Sequence, residues 1–370
     1  MNIPKLQEGI STAVRSRVFP GGTLVLGDSK QILMSKGFGR LDYEPSSPVP
    51  NPDTTLYDLA SLTKPLVTAA LTCIMVSKKI LDLDSSLSQY FPDTNGKSIG
   101  RLKIRQLLDH TSGLPSWRPF FRRLILNGLP VPSAESRKAL LEMVLSEPLE
   151  NEPGEKYVYS DLDFIILGRL LEVLEGSPLD VLAQKHLFKP LDIDGAMFFN
   201  LLKQSRPQAQ GRDVAPTEKC SWRNRVLRGE VHDENAWAAG GVEGHAGLFG
   251  TAMSVLRLSR IWLEGLEDKG LLSACSKKFV QTPSGKLLGW DRPSEQDSRA
   301  GSIPGTQSAF GHLGFTGTSV WISRETKMIA VLLTNRVHPD RKDRGMAKAR
   351  IEIHNALWKA GSSMTRGESA

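Results

Sequence analysis

Ser61-Leu62-Thr63-Lys64 places a hydroxyl and an ammonium three residues apart. On a helix, positions i and i+3 share a face, so the lysine reaches the serine. A serine alcohol is a weak nucleophile without a neighbouring base, and lysine serves as one where its surroundings lower its pKa. The apolar run from Leu66 starts directly after the motif. This predicts a buried helix whose N-terminal N–H groups point at Ser61, the beginning of an oxyanion hole. No second S-x-x-K occurs in the chain.

Two further segments carry groups that such a serine needs. Pro153-Gly154-Glu155-Lys156-Tyr157-Val158-Tyr159-Ser160-Asp161 puts Tyr159 on a loop just ahead of a helical run that contains Phe164. A tyrosine there either packs at the helix entrance or shuttles a proton, if cations depress its pKa. Tyr157 competes for that role, and Asp161 reads equally well as the helix N-cap. Gly311-His312-Leu313-Gly314-Phe315-Thr316-Gly317-Thr318 runs into a strand at Val320, and its glycines let backbone approach a ligand closely. An edge strand here supplies a second oxyanion N–H and pairs with a peptide-like substrate by strand addition.

Other polar clusters read differently. His232-Asp233-Glu234 and Glu243-Gly244-His245 hold two histidines and three carboxylates, but no H-E-x-x-H or other ligand pair at helical spacing. They are expected to form a glycine-rich wall of the cleft, with no metal. His110, in Leu107–Leu114, is expected to cap a helix C-terminus. Cys73, Cys220 and Cys275 are odd in number and lack C-x-x-C spacing, which argues against a disulfide framework or a cysteine zinc site.

These groups must be held by elements from the whole chain. Thr23–Leu26 and Gln31–Met34, around the turn Gly27–Lys30, read as a hairpin. Thr318–Ser323 and Met328–Thr334 read as two strands, followed by a helix with Ala347, Ile351, Ala356 and Trp358 among its apolar positions and a frayed last dozen residues. From Ser61 to about His186 the apolar spacing is helical, as in the stripe Phe164, Leu167, Leu170, Leu171 and Leu174. The expected fold is one α/β (α+β) unit over residues 1–358. An antiparallel sheet from both termini (1–60 and 235–358) is flanked by helices, with an all-helical unit (61–200) inserted. Residues 201–234 read as a long connection bordering the site.

The 370 residues hold 24% charged and 40% hydrophobic residues, which excludes intrinsic disorder. The longest uncharged apolar stretch, Leu66–Val76, is too short to span a bilayer, and no signal peptide is visible, so a cytoplasmic location is expected, with export as the alternative that work on peptidoglycan would require. Lys and Arg exceed Asp and Glu by 47 to 40. The excess is scattered apart from small clusters at 118–123 and 336–350, so the expected partner is a small molecule or peptide, not a nucleic acid. Oligomeric state is left open.

Together the motifs resemble the penicillin-recognising serine hydrolases: class C β-lactamases, D-alanyl-D-alanine carboxypeptidases and related esterases. Ser61–Lys64 is similar to that family's S-x-x-K, Tyr159-Ser160-Asp161 to its Y-x-N, and His312-Leu313-Gly314 to the H-x-G form of its K-T-G element. Leu107–Leu114 looks like its L-L-x-H-T-S-G-L and Gly244–Thr251 like its A-G-L-x-S-T, so the likeness spans about residues 10–358. The resemblance implies Ser61 as nucleophile, Lys64 as its base and Tyr159 as proton relay to the leaving group. It implies Asp161, His312, Gly314 and Phe315 as substrate-binding, with the N–H groups of Ser61 and Phe315 as oxyanion hole and no cofactor. It also implies an acyl-enzyme formed from a peptide-like amide, a β-lactam or an ester. The rivals are a carboxylesterase on the same fold and a non-catalytic binding or sensor protein retaining the pocket. Asp161 replaces the family's Asn, and either pairs with Lys64 and holds it charged or rejects an anionic substrate group. His312 grips a carboxylate less firmly than lysine does. Both departures tell against efficient β-lactamase activity.

Overall fold

A computed structural model describes residues 3–199, 213–282 and 285–365. The chain begins with α1 (Ile3–Arg15) and the hairpin β1 (Gly21–Gly27) and β2 (Ile32–Gly39), followed by the short β3 (Tyr57–Asp58). Ser61 lies in a 3-10 turn over Ala60–Leu62, Lys64 opens a π-helical turn over Lys64–Ala69, and α2 (Ala70–Ser77) completes the segment. Helices α3 (Ile104–Leu108), α4 (Phe120–Leu126), α5 (Ala134–Leu145), α6 (Asp161–Glu175) and α7 (Leu179–Ala183) make up the helical part. After β4 (Met197–Phe199) come the small hairpin β5 (Lys219–Cys220) and β6 (Arg225–Val226), then α8 (Glu234–Ala238), β7 (Leu248–Gly250), α9 (Ala252–Leu266) and α10 (Ser276–Val280). The chain returns through β8 (Phe310–Leu313), β9 (Ser319–Ile322), β10 (Ile329–Thr334) and α11 (Met346–Thr365).

The main sheet is antiparallel, in the order β2-β1-β10-β9-β8, so the N-terminal hairpin is completed by the C-terminal strands. Val25 pairs with Val331 in this register. Side chains alternate across a strand, and both faces are buried. Leu24, Leu26, Ala330 and Leu332 face α1 and α11, against Leu6, Ile10, Ile353 and Leu357. Val25, Val331 and Leu333 face the larger core, with Leu256 of α9, Leu66 and Phe164. Burial on both sides explains why β1 and β10 read as continuous apolar runs. β8 is an edge strand, as its glycine-framed sequence suggests.

Two expectations change. The last dozen residues do not fray at 359: α11 runs to Thr365, with Ala360 buried and Gly361 passing directly over Leu26 and Met328. The missing Cβ lets helix and sheet approach here: one added to Gly361 would lie 2.6 Å from Leu26 and 2.8 Å from the Met328 sulfur. The first part of the long connection, residues 201–212, lies outside the described residues; from 213 it holds the β5–β6 hairpin and borders the site. Among the described residues, Ala60–Ser77 is apolar enough to cross a membrane, and 83% of it is buried inside this fold as a core helix.

Candidate active site

The turn carrying Ser61 is built by its neighbours. Ala60 adopts a left-handed conformation (φ +48), which costs an alanine on the order of 1 kcal/mol or more and must be held by tertiary bonds. Asp58 supplies them: its Oδ1 accepts from the Ala60 N–H at 2.9 Å and its Oδ2 from the His232 N–H at 2.6 Å. Thr63 Oγ1 donates to the Ala60 carbonyl at 2.7 Å and accepts from the Leu248 N–H at 3.3 Å. Instead of the regular α-helix expected, Ser61 sits in a 3-10 turn and Lys64 opens a π-helical turn. That geometry brings Lys64 Nζ to 3.0 Å from Ser61 Oγ.

Lys64 is fully buried, and its Nζ lies 2.6 Å from Asp161 Oδ1 and 3.4 Å from the His245 carbonyl, to both of which it donates. Burial pulls its pKa down, but Asp161 and then Tyr159 outweigh burial and raise it above 10.5, so Lys64 is an ammonium at neutral pH. Asp161 is free for this contact because Ser160, not Asp161, caps α6: Ser160 Oγ accepts from the Leu162 N–H at 3.2 Å. Asp161 occupies the first turn, where the helix dipole favours a carboxylate.

Of the two tyrosines, Tyr159 is the one at the site. Lys64 Nζ stands 4.8 Å from its ring centre, and its hydroxyl interacts with Lys64 and Ser61. Burial, aided by Asp161 and opposed by Lys64, pushes the Tyr159 pKa up to about 12, so the phenol keeps its proton. Tyr157 is 58% exposed and donates to Asp291 Oδ1 at 3.3 Å instead. Behind Tyr159, at 4.7 Å between ring centres, His110 holds the left-handed position that ends α3, as expected of a cap. Its Nδ1 is 3.0 Å from Asp163 Oδ2. Burial drives His110 well below and Asp163 well above their ordinary pKa values, leaving a largely uncharged buried pair.

β8 and the turn after it form the facing wall. Thr316 Oγ1 donates to the Asp58 carbonyl at 2.7 Å and Thr318 Oγ1 to the Leu59 carbonyl at 3.1 Å, fastening this turn to the one that carries Ser61. A Cβ on Gly314 would lie 2.0 Å from Thr318 Oγ1 and 2.6 Å from the Leu59 oxygen. Gly314→Ala is therefore expected to cost about 1–3 kcal/mol of stability through overpacking, read as a lower midpoint in denaturant unfolding, and to lower turnover by moving Phe315 away from Ser61. The outer edge at Gly311 is already paired with Asp291, through N–H···O bonds of 2.8 and 2.9 Å, so the edge left to a substrate starts at Leu313. His312 Nδ1 donates to the Leu313 carbonyl at 2.8 Å. Burial outweighs Asp291 and lowers the His312 pKa, which makes it a neutral ring where lysine would be a cation.

Ser61, Tyr159, Asp161, His312, Gly314 and Phe315 line one cavity of about 690 Å³, and Lys64 lies beneath it. A larger surface cavity of about 1010 Å³, between Lys97–Gln106 and Leu145–Pro153, contains none of them. The same catalytic cavity collects three residues that sequence reasoning gave no individual role. His245 Nε2 is 2.9 Å from Asp233 Oδ1. Despite burial, Asp233 raises the His245 pKa, so this is a second ion pair beside Lys64–Asp161. His245 reaches Lys64 because Gly244 packs against Gly168 of α6; a Cβ there would sit 2.0 Å from the Phe164 oxygen. The third residue is Arg350 of α11, whose Nη2 donates to the carbonyls of Gly314 (3.1 Å) and Thr318 (2.9 Å). Donor atoms of Asp161, Asp233 and His245 lie within 4.8 Å of one another, a set that could hold a metal. In this arrangement Asp161 faces the Lys64 ammonium and His245 Nε2 is committed to Asp233, so the cationic role is taken by protein groups.

A serine on a strained turn, a buried lysine at i+3, a protonated tyrosine and an edge strand opposite define a serine hydrolase of the penicillin-recognising type. The chain belongs to the Beta-lactamase family, whose model matches residues 6–355. It is 31% identical over 351 aligned positions to an Escherichia coli K12 protein that carries the name D-alanyl-D-alanine carboxypeptidase, covering 86% of this chain and 79% of that one. A Salmonella typhimurium LT2 protein of the same name is 30% identical over 353 positions, with the same coverage. Among solved structures, EstCE1, a hydrolase with promiscuous acyltransferase activity, superposes with a TM-score of 0.72 at 20% identity, covering 96% of this chain and 98% of that one. The octameric penicillin-binding protein homologue from Pyrococcus abyssi gives 0.67 at 18% identity, covering 100% and 78%. Both share the fold.

Proposed function

We propose that Ser61 attacks the carbonyl of a peptide-like amide or ester and carries the acyl group until water releases it. The contact between Ser61 and a fully buried Lys64, itself paired with Asp161, carries this reading. An ammonium cannot accept the serine proton. Moving one proton across the 2.6 Å to Asp161 gives a neutral amine, which then takes the proton of Ser61 as its oxygen attacks. The N–H groups of Ser61 and Phe315 stabilise the resulting oxyanion. Tyr159, protonated at neutral pH, donates to the leaving group and is recharged through Lys64. His312 orients the strand and the substrate by hydrogen bonding.

Arg350 supports substrates with a carboxylate on the leaving group. It is buried, forms no ion pair among the described residues, and its Nε has no hydrogen-bond partner. Burial, with Arg336 and Arg299 nearby, pulls its pKa down from the ordinary guanidinium value without removing the charge at neutral pH. An uncompensated buried guanidinium lining the cavity is costly without an anion. The carboxypeptidase name of the E. coli and Salmonella relatives points the same way.

A fluorophosphonate probe is expected to label the folded protein once, on the peptide containing Ser61, and to leave heat-denatured protein unlabelled. Labelling of a different serine, or of none in demonstrably folded protein, overturns the assignment. Turnover of D-alanyl peptides, p-nitrophenyl esters and nitrocefin then sorts peptidase, esterase and β-lactamase.

A further inference from the structure

Beside the catalytic cavity lies a second one of about 570 Å³, and the two share the side chains of Glu234 and Arg341. One wall of this groove is α4, with Phe121, Ile125 and Leu126; the opposite wall is Ser221 and Trp222, just after β5. Leu126 is 84% exposed, Ile125 43% and Trp222 38%, so the groove carries an exposed apolar strip. Exposed apolar surface of this kind, continuous with a reactive centre, marks a binding site.

Its walls are fixed in place. The Trp222 ring is 5.1 Å from both Phe121 and Trp237, with the Arg223 guanidinium 4.8 Å from its centre. The Phe121 N–H donates to Asn235 Oδ1 at 3.0 Å, tying α4 to α8. Between the two cavities stands Arg341, held by Glu234 (2.7 Å) and Glu218 (2.5 Å), whose methylene stem offers an apolar crossing.

The contacts also say which end of a substrate faces the groove. Tyr159 lies beside His312 (5.9 Å between rings), and His312 Nε2 is 3.8 Å from Asp291. On the other flank, His232 stacks on Phe315 at 5.6 Å and its Nε2 is 3.0 Å from Glu218, which binds Arg341. A leaving group protonated by Tyr159 occupies the first flank, so the acyl part is left to the second, which opens on the groove.

We propose that this groove binds the hydrocarbon part of the acyl group, and that the preferred substrates carry a medium-length apolar acyl chain. This rests on the serine-hydrolase reading above. In a p-nitrophenyl series from acetate through butyrate to octanoate, kcat/KM is expected to rise roughly three-fold per methylene added. Leu126→Ser, at an exposed position, should flatten the rise between butyrate and octanoate by at least about ten-fold and leave acetate turnover unchanged; Trp222→Ala should do the same. Binding without chemistry is read by calorimetric titration of Ser61→Ala protein with butanamide and octanamide. Tighter octanamide binding that Leu126→Ser abolishes supports the groove even where no ester is turned over, in which case the catalytic reading is what fails. Equal binding of the two amides, or a chain-length profile that Leu126→Ser does not change, overturns the groove. So does a wild-type dimer that Leu126→Ser converts to monomer in sedimentation equilibrium, since the strip is then a contact between copies of this chain.

Discussion

Replacing Lys64 with alanine is expected to slow acylation of Ser61 by at least about 100-fold, the usual scale for a positioned acid–base group. The loss falls on the chemical step. Lys64 lies beneath the cavity wall, touches Ser61 at 3.0 Å, and bridges Ser61 to Asp161, so a proton taken from Ser61 is matched by one released to Asp161. Lys64→Arg is expected to fare no better. Guanidinium stays charged at any pH the fold tolerates, and its planar fork does not fit a site where every surface of the lysine is already covered. Lys64→Met keeps the packing without the amine and controls for a cavity effect: its unfolding midpoint should stay near wild type while its acylation rate matches Lys64→Ala. The measurement is the single-turnover rate of p-nitrophenol release. A Lys64→Arg enzyme with near wild-type acylation removes Lys64 from the proton path.

The chemistry was legible where one short segment carries it, and illegible where distant segments converge. S-x-x-K states its own geometry, since i and i+3 meet on any tight helical turn. The glycines around His312 mark close backbone approach, and the space at Gly314 bears this out. The two-ended sheet was readable because β1, β2, β9 and β10 each have apolar strand-like sequences bounded by turns. The turn at Ala60 was not readable, because alanine gives no sign of a positive φ that Asp58 and Thr63 impose from outside. Ser160 and Asp161 are adjacent and both suit a cap; only the position of Lys64, 97 residues earlier, decides which carboxylate or hydroxyl does what. The His245–Asp233 pair has a spacing that fits no single element, and its meeting with Lys64 depends on Gly168 and Gly244 touching across the core. Arg350 read as one of several basic residues in a C-terminal cluster, and nothing in that helix shows that it points at the turn after β8.

Asp161→Asn is expected to change how turnover depends on pH, and the direction follows from the balance at Lys64. Burial is the largest influence on that amine and acts downward; the Asp161 charge is the largest acting upward, and the net result is a pKa above 10.5. With Asp161 ionised, the pair reaches its neutral form by an internal proton shift that exchanges nothing with solvent. Wild-type acylation should therefore vary little between pH 7 and 9. Asparagine keeps the shape but accepts no proton, so Lys64 must lose its proton to water before it acts as a base. Without the carboxylate the largest upward influence is lost and burial is opposed by less, so the Lys64 pKa falls from its wild-type position. The variant should then be slower at pH 7 and gain close to ten-fold per pH unit until that lowered pKa is passed. Removing a negative charge from the cavity should also tighten binding of β-lactams that carry a carboxylate, since the repulsion from Asp161 is gone while Arg350 remains. Stopped-flow acylation by nitrocefin and by a p-nitrophenyl ester, each across pH 6 to 10, measures both effects. A variant with the wild-type pH profile and wild-type β-lactam affinity means that Asp161 serves only the start of α6, and the proton of Ser61 leaves by another route.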